Sequence, residues 1–303
     1  KLGYTFENWV VKNFANYDSE YGYVAKNFPA GFIFPQEMPD LTAGIENFVQ
    51  PSIMLAPKYL SNEYTVRFAG ENIYFDAKKV LFGKSYSNND KNAFPIPMKT
   101  GYYFDGWYSG TNGTGKKVVN EYGAIDRWNI ANDCTLYAYF TPIHYQMRFD
   151  FCGGSGDVSV LEVVFDQALP NTIAPTRTGY TFAGYFDRTD GNGTLYYNQN
   201  MVGMMTWTNT ESKTLYAHWT ANTYTVNLNN QGGNGGDVQF TVTYGQPLPD
   251  NLEAPSKMGN YFRGYYSDYD GRGTYYLDST MKSMNNWAIA HDTTLYAKWE
   301  VRY

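Results

Sequence analysis

Thr178-Gly179-Tyr180-Thr181-Phe182-Ala183-Gly184-Tyr185-Phe186 has two close echoes in the chain. Upstream it reads Thr100-Gly101-Tyr102-Tyr103-Phe104-Asp105-Gly106-Trp107-Tyr108, and downstream Met258-Gly259-Asn260-Tyr261-Phe262-Arg263-Gly264-Tyr265-Tyr266. Self-similarity at a fixed period marks a repeat architecture, and it outranks any single-residue signal. Each copy ends in a second motif: Leu136-Tyr137-Ala138-Tyr139-Phe140, Leu215-Tyr216-Ala217-His218-Trp219 and Leu295-Tyr296-Ala297-Lys298-Trp299. A lone tryptophan stands eight residues before each closing leucine, at Trp128, Trp207 and Trp287. The closing leucines are 79 and 80 residues apart, which sets the period.

A partial copy opens the chain. Gly3-Tyr4-Thr5-Phe6-Glu7-Asn8-Trp9-Val10 matches the aromatic motif, and Leu55-Ala56-Pro57-Lys58-Tyr59 the closing one. Glycine and closing leucine are 52 residues apart here, against 35 or 36 elsewhere, so about 16 extra residues lie within 15–53. Everything that precedes the aromatic motif in the other copies is missing. The expected domains are therefore 1–60, a partial repeat with an insertion, then repeats at 61–141, 142–220 and 221–303.

Strand signals are strong. Tyr224, Val226 and Leu228 alternate with polar residues, as do Val238, Phe240, Val242 and Tyr244. That period of two puts one face on a core and the other in water. Gln231-Gly232-Gly233-Asn234-Gly235-Gly236 between them reads as a loose hairpin turn. In the second repeat, Val158 and Val160 have one parity and Val163 and Phe165 the other, which predicts a β-bulge near Leu161-Glu162. Gly106, Gly184 and Gly264 weaken an aromatic strand unless crowding or a bulge requires them. Met201–Trp207 and Met281–Trp287 could each form a helical turn or two, with the tryptophan as a core plug.

The recurring GYTFxGW/Y core, the GxGT turn, the isolated tryptophan and the LYAxW close resemble the Listeria–Bacteroides repeat, the B-repeat family of internalin-type surface proteins. Asn260, Asn8, Phe140 and Tyr59 depart from the motifs without disturbing their order. The resemblance implies small β-grasp-like domains on extracellular proteins. With the strand signals it gives a mostly β (α+β) chain of tandem domains, arranged as beads or a rod.

Composition agrees. Aromatic residues reach 18%, charged ones only 17%, and net charge is −6. Large flat side chains suit β surfaces, and no basic footprint for nucleic acid exists. No apolar run reaches the length of a membrane-spanning helix. Lys1-Leu2-Gly3-Tyr4 opens directly in strand-like sequence without a leader, as expected of a mature or trimmed chain. Cys134 and Cys152 would face each other and could bridge if the junction around residue 143 folds back as a hairpin. If the chain runs straight through, they are too far apart.

Catalytic chemistry finds little support. His144, His218 and His291 share no metal-ligand spacing, and the P-loop, GxSxG and dinucleotide motifs are absent. The acidic turns at Asp187–Gly193 and Asp268–Gly273 lack the distal glutamate of a calcium loop. No metal or cofactor is expected. The reading is a non-enzymatic extracellular or cell-surface protein: a stalk, an adhesive module or a filament-forming subunit. Its partners would be copies of itself, or a host or cell-surface protein or glycan.

Three surface features belong to that reading. The incomplete first sheet should have an unpaired edge, and Glu300-Val301-Arg302-Tyr303 could extend as a self-associating strand. Asn112-Gly113-Thr114 and Asn192-Gly193-Thr194 are glycosylation sequons at equivalent turns. The alternative is a glycan-binding module of a larger secreted protein. Its platforms would be Tyr108, Phe186 and Tyr266, or Tyr196-Tyr197 and Tyr275-Tyr276.

Overall fold

The computed structural model describes residues 1–13, 28–29, 54–89 and 91–303. The chain divides into two compact units, Lys1–Thr141 and Pro142–Tyr303. The first holds a three-stranded sheet of β1 (Tyr4–Asn13), β2 (Phe28–Pro29) and β3 (Met54–Ser61), in the order β2-β1-β3. It also holds the sheet of repeat 1: β4 (Glu63–Ala69), β5 (Lys78–Leu81), β6 (Tyr102–Tyr108), β7 (Lys117–Asn120) and β8 (Cys134–Pro142), in the order β5-β4-β8-β6-β7.

The second unit holds two such sheets. Repeat 2 has β9 (His144–Asp150), β10 (Val160–Val164), β11 (Tyr180–Phe186), β12 (Leu195–Asn198) and β13 (Lys213–Ala221). Repeat 3 has β14 (Thr223–Asn229), β15 (Gln239–Thr243), β16 (Asn260–Tyr266), β17 (Tyr275–Leu277) and β18 (Thr293–Val301). Their orders are β10-β9-β13-β11-β12 and β15-β14-β18-β16-β17, the same as in repeat 1.

The closing motif explains that order. In each repeat the last strand lies parallel to the first and places its leucine opposite an apolar residue: Phe68 with Leu136, Phe149 with Leu215, Leu228 with Leu295. The other pairings are antiparallel hairpins on either side. Period-two alternation buries one face, with Val226 and Leu228 inward and Asn227 and Asn229 outward. Trp128, Trp207 and Trp287 plug the three cores at 0–1% exposure. Burying one such ring contributes on the order of 5 kcal/mol of gross apolar transfer, a large share for a small domain.

The α+β expectation is corrected: the described residues contain no α-helix, only 3-10 turns at Thr111–Gly113 and Tyr269–Gly271. The stretches before Trp207 and Trp287 are not helical. Asn198 Oδ1 accepts from the backbone of Asn200 and Val202, and Asp278 Oδ1 from Thr280 and Lys282. These Asx turns capture N–H groups that a helix would need. They leave Met201 and Met281 in the left-handed region, at φ of 57° and 65°. Asn120 does the same in repeat 1.

The bulge expected near Leu161-Glu162 is absent too, since β10 pairs with β9 in unbroken register from Val160 to Val164. Val160 faces outward at 41% exposure while Val163 is buried, and Val158 packs on the core from outside the strand. The change of parity is thus a change of role, not an inserted residue. The irregularities fall instead at the motif glycines, between Phe182 and Gly184 and between Phe262 and Gly264. A Cβ on Gly184 would lie 2.6 Å from the Tyr197 carbonyl oxygen, and on Gly264 2.1 Å from that of Leu277. Backbone crowding is what demands glycine there.

Candidate functional site at the joints between repeats

Where one sheet meets the next within a unit, the same arrangement occurs twice. An aromatic residue just beyond the second strand of the later repeat sits on the first glycine of the earlier repeat's aromatic motif. Phe82 covers Gly3 and Tyr244 covers Gly179: a Cβ on either glycine would lie 2.2 or 2.3 Å from the ring. The neighbouring motif tyrosine meets that ring edge-on, with centroids 5.2 Å apart for Tyr4–Phe82 and 5.5 Å for Tyr180–Tyr244. This T-shaped geometry adds attraction beyond burial.

A linker asparagine ties the joint. The backbone N–H of Asn62 donates to Gly3 O (3.0 Å), and its carbonyl accepts from Phe82 N (2.9 Å). Its side-chain Oδ1 accepts from Thr5 Oγ1 at 2.6 Å, and its Nδ2 donates to the Tyr64 hydroxyl at 3.4 Å. Asn222 repeats all four bonds, with Gly179, Tyr244, Thr181 and Tyr224, within 0.1 Å of those distances. Ile143, at the corresponding linker position, keeps the carbonyl bond to Phe165 N at 3.0 Å but has no side-chain amide to offer.

The core tryptophan fixes the docking ring. Gly245 N donates to Trp287 O and Trp287 N to Gln246 O, both at 2.8 Å, immediately after Tyr244. Gly83 and Lys84 exchange the same bonds with Trp128 after Phe82. A left-handed residue, Gly83 at φ 80° or Gly245 at φ 78°, turns the chain at that point.

A basic residue two before each motif glycine completes the local architecture. Lys1, Lys99 and Arg177 lie over Tyr4, Tyr102 and Tyr180 at 4.9, 4.3 and 4.0 Å from the ring centroids. Where Asn260 removes the tyrosine, Lys257 lies over Trp299 instead, at 5.8 Å. Arg177 also donates to Cys152 O at 3.0 Å, and Lys257 to Gln231 O at 2.9 Å. The sequence reading missed this position and the linker asparagine. Both were written in the chain, as [Lys/Arg]-x-Gly at all four copies and as Asn-x-Tyr at two linkers.

The residues singled out in the sequence fall as follows. Cys134 and Cys152 are free thiols in different units, with no bridge between them. Asn112 and Asn192 are exposed, although Asn192 donates to Asp190 from its side chain (3.2 Å) and its backbone (3.0 Å). Glu300 and Val301 pair with Tyr261 and Asn260 inside their own sheet, and Arg302 N donates to Gly259 O. Glu300 ion-pairs with Arg263, and Tyr303 is fully exposed. Among the described residues, β3 pairs with β1 alone. The insertion within 15–53 lies outside the described residues, except that Phe28–Pro29 pairs with β1.

Of the proposed aromatic platforms, Tyr196, Tyr197 and Tyr276 are buried. Tyr108 pairs with Tyr139, Phe186 with His218, and Tyr266 stacks on Tyr275 at 4.6 Å. Burial pushes the Tyr197 phenol up to about 12, and raises Tyr185 and Tyr265 well above the usual range. A hydrogen bond from Tyr108 holds Asp105 below the usual carboxylate range, despite partial burial and with help from Lys117. His144 contacts Glu162 at 3.0 Å on the surface. The described residues contain no metal-binding group of His, Cys, Asp and Glu, and no helix long and apolar enough to cross a membrane.

Comparison with known proteins places the repeats. The model of the Listeria-Bacteroides repeat domain matches residues 64–139, 145–218 and 224–298. Two Evansella cellulosilytica proteins named as membrane proteins, one of them Gly-rich, are similar. The Gly-rich one is 30% identical over 67% of this chain and 23% of its own length, and the other 27% over 82% and 33%. Internalin H of Listeria monocytogenes is 37% identical over 42% of this chain and 20% of its own. The chain thus spans a third or less of the length of these relatives.

Proposed function

Because the chain belongs to the Listeria-Bacteroides repeat family, we propose that it works as a non-catalytic cell-surface spacer, a run of equivalent domains that holds other parts of a surface protein at a distance. The observation that carries this reading is the joint seen twice, at Gly3, Asn62 and Phe82 and at Gly179, Asn222 and Tyr244. An aromatic lock reinforced by four hydrogen bonds fixes one domain on the next, which a spacer needs and an enzyme does not. Strand order supports a β-grasp-like unit without its helix, with first and last strands parallel at the centre. The proposed domains are 1–60, 61–141, 142–220 and 221–303. Names of the relatives, membrane proteins and an internalin, favour a surface location.

Protease treatment of intact producing cells, followed by detection with an antibody to residues 64–298, tests this reading. Removal of the signal from intact cells is expected; signal that is lost only after lysis would overturn it. Polymerisation through Glu300–Tyr303 is the adhesive or filamentous extension of the same reading, favoured by the exposure of Val301 and Tyr303. Electron microscopy of the purified chain decides it, with uniform monomers counting against it.

A further inference from the structure

Beside the joint of repeats 2 and 3 lies a cleft of about 770 Å³. Tyr180, Trp219 and Tyr244 line it together with Arg177, and Gly154, Ser155 and Thr176 add polar groups. We propose that this cleft is a carbohydrate-binding site, in which a pyranose ring lies against Trp219 and its hydroxyl or carboxylate group is held by Arg177.

Both anchors are fixed in advance. Trp219 Nε1 donates to Phe151 O at 2.9 Å, and its ring packs against Phe182 with centroids 5.4 Å apart. Arg177 rests on Tyr180 at 4.0 Å and donates to Cys152 O. A guanidinium carries five N–H donors, and the remaining ones have no protein partner among the described residues. Rigid aromatic surface and pre-placed donors lower the ordering cost of binding. Hydroxyls, glycine backbone and aromatic rings in an open cleft suit a sugar, with its apolar ring faces and polar edge. A peptide would ask for a sheet edge or deep apolar pockets.

The other repeats show what the site requires. In repeat 1, Phe140 stands where Trp219 does, Lys99 ion-pairs with Glu71 at 3.4 Å, and the cavity that Lys99, Tyr102 and Phe140 help to line is only about 240 Å³. In repeat 3, Lys257 lies over the Trp299 ring, whereas in repeat 2 the cation lies over Tyr180 and leaves the indole to the cleft. Tyr244, the ring that locks the joint, supplies the far wall. The site is independent of the spacer reading, since a chain that bound nothing could still be a spacer.

The test uses the full chain and two soluble probes, cellohexaose as a neutral oligosaccharide and hexagalacturonate as an acidic one. Calorimetry gives affinity, and the Trp219 indole N–H resonance reports location. At least one probe should bind with a Kd of about 1 mM or tighter and shift that resonance. Trp219→Phe and Arg177→Gln should each weaken binding about tenfold, and Trp299→Phe should leave it unchanged. Preference for the acidic probe assigns Arg177 a carboxylate, and equal or neutral preference a hydroxyl; both support the site. Trp219→Phe copies a side chain that repeat 1 already carries there, and Phe151 O keeps its bond from Gly154 N at 3.0 Å when the indole is lost, so thermal unfolding should be close to that of the parent. Failure of both probes to bind, or binding that survives both substitutions, overturns the proposal.

Discussion

Repeats 1 and 2 share a strand order and differ in what fills it. Beside the crowded glycine, repeat 1 buries Trp107 opposite Val119, and repeat 2 buries Tyr185 opposite Tyr197. Trp107 Nε1 donates to Pro95 O at 2.8 Å, and the Tyr197 hydroxyl to Pro170 O at 2.9 Å. The core tryptophans differ as well. Trp128 Nε1 donates to Ile130 O at 2.8 Å, whereas Trp207 Nε1 is buried without a protein partner among the described residues. The sheet is therefore specified by size, flatness and alternation, and the polar chemistry of the core is free to vary. What does not vary is the backbone exchange between each core tryptophan and the turn after the second strand.

The largest expected effect tests that constant. Trp128→Ala and Trp207→Ala should each cost about 3–5 kcal/mol, read from urea unfolding of the full chain. A cost below about 1 kcal/mol in either would break the equivalence of the two plugs.

The comparison also predicts a difference in alkali. An acid whose folded pKa lies above its unfolded value of about 10 stays protonated in the fold while the unfolded chain ionises. Its stability contribution is therefore intact below that pH and lost as pH rises toward the folded pKa. Tyr197, pushed up to about 12, and Tyr185 and Tyr265, raised further, act in repeats 2 and 3. Repeat 1 has Trp107 and Val119 at the two positions. Tyr197→Phe should recover on the order of 2 kcal/mol of the loss between pH 9 and about pH 12, measured by urea unfolding at both. An equal loss in parent and variant would remove the phenol from the account.

A smaller contrast separates the two plugs. Trp128→Phe strands the Ile130 carbonyl and Trp207→Phe strands nothing, so the first should cost about 1 kcal/mol more. Equal costs would mean that the indole hydrogen bond is not what distinguishes the repeats.

Much of this is legible in the sequence. Recurrence gave the repeats, alternation at Tyr224–Leu228 gave the strands, and the spacing of the lone tryptophans gave the plugs. Three readings failed for physical reasons. Met201–Trp207 carries one weak helix former, Gly203; the further obstacle is Asn198, whose side chain takes the N–H groups first. Parity at Val158–Phe165 misleads because Val160 faces outward while Val163 faces the core. The platform reading of Tyr196-Tyr197 assumed that adjacent tyrosines face solvent, whereas both are buried. The joint was the hardest to see, because Asn62 and Asn222 act only when two repeats are already beside each other. Within a single repeat each is one more polar linker residue.

The central claim, that an aromatic ring docked on the motif glycine locks one repeat to the next, is tested most directly by Gly179→Ala against Gly259→Ala. Their backbones are nearly alike, at φ of 78° and 73°, so the left-handed penalty of about 1–2 kcal/mol is common to both. A Cβ at 179 would lie 2.3 Å from the Tyr244 ring, and one at 259 meets nothing within 4 Å. Urea unfolding should show Gly179→Ala costing a further 1–3 kcal/mol or so, with the loss felt in both repeats 2 and 3. Equal costs for the two substitutions would contradict the lock.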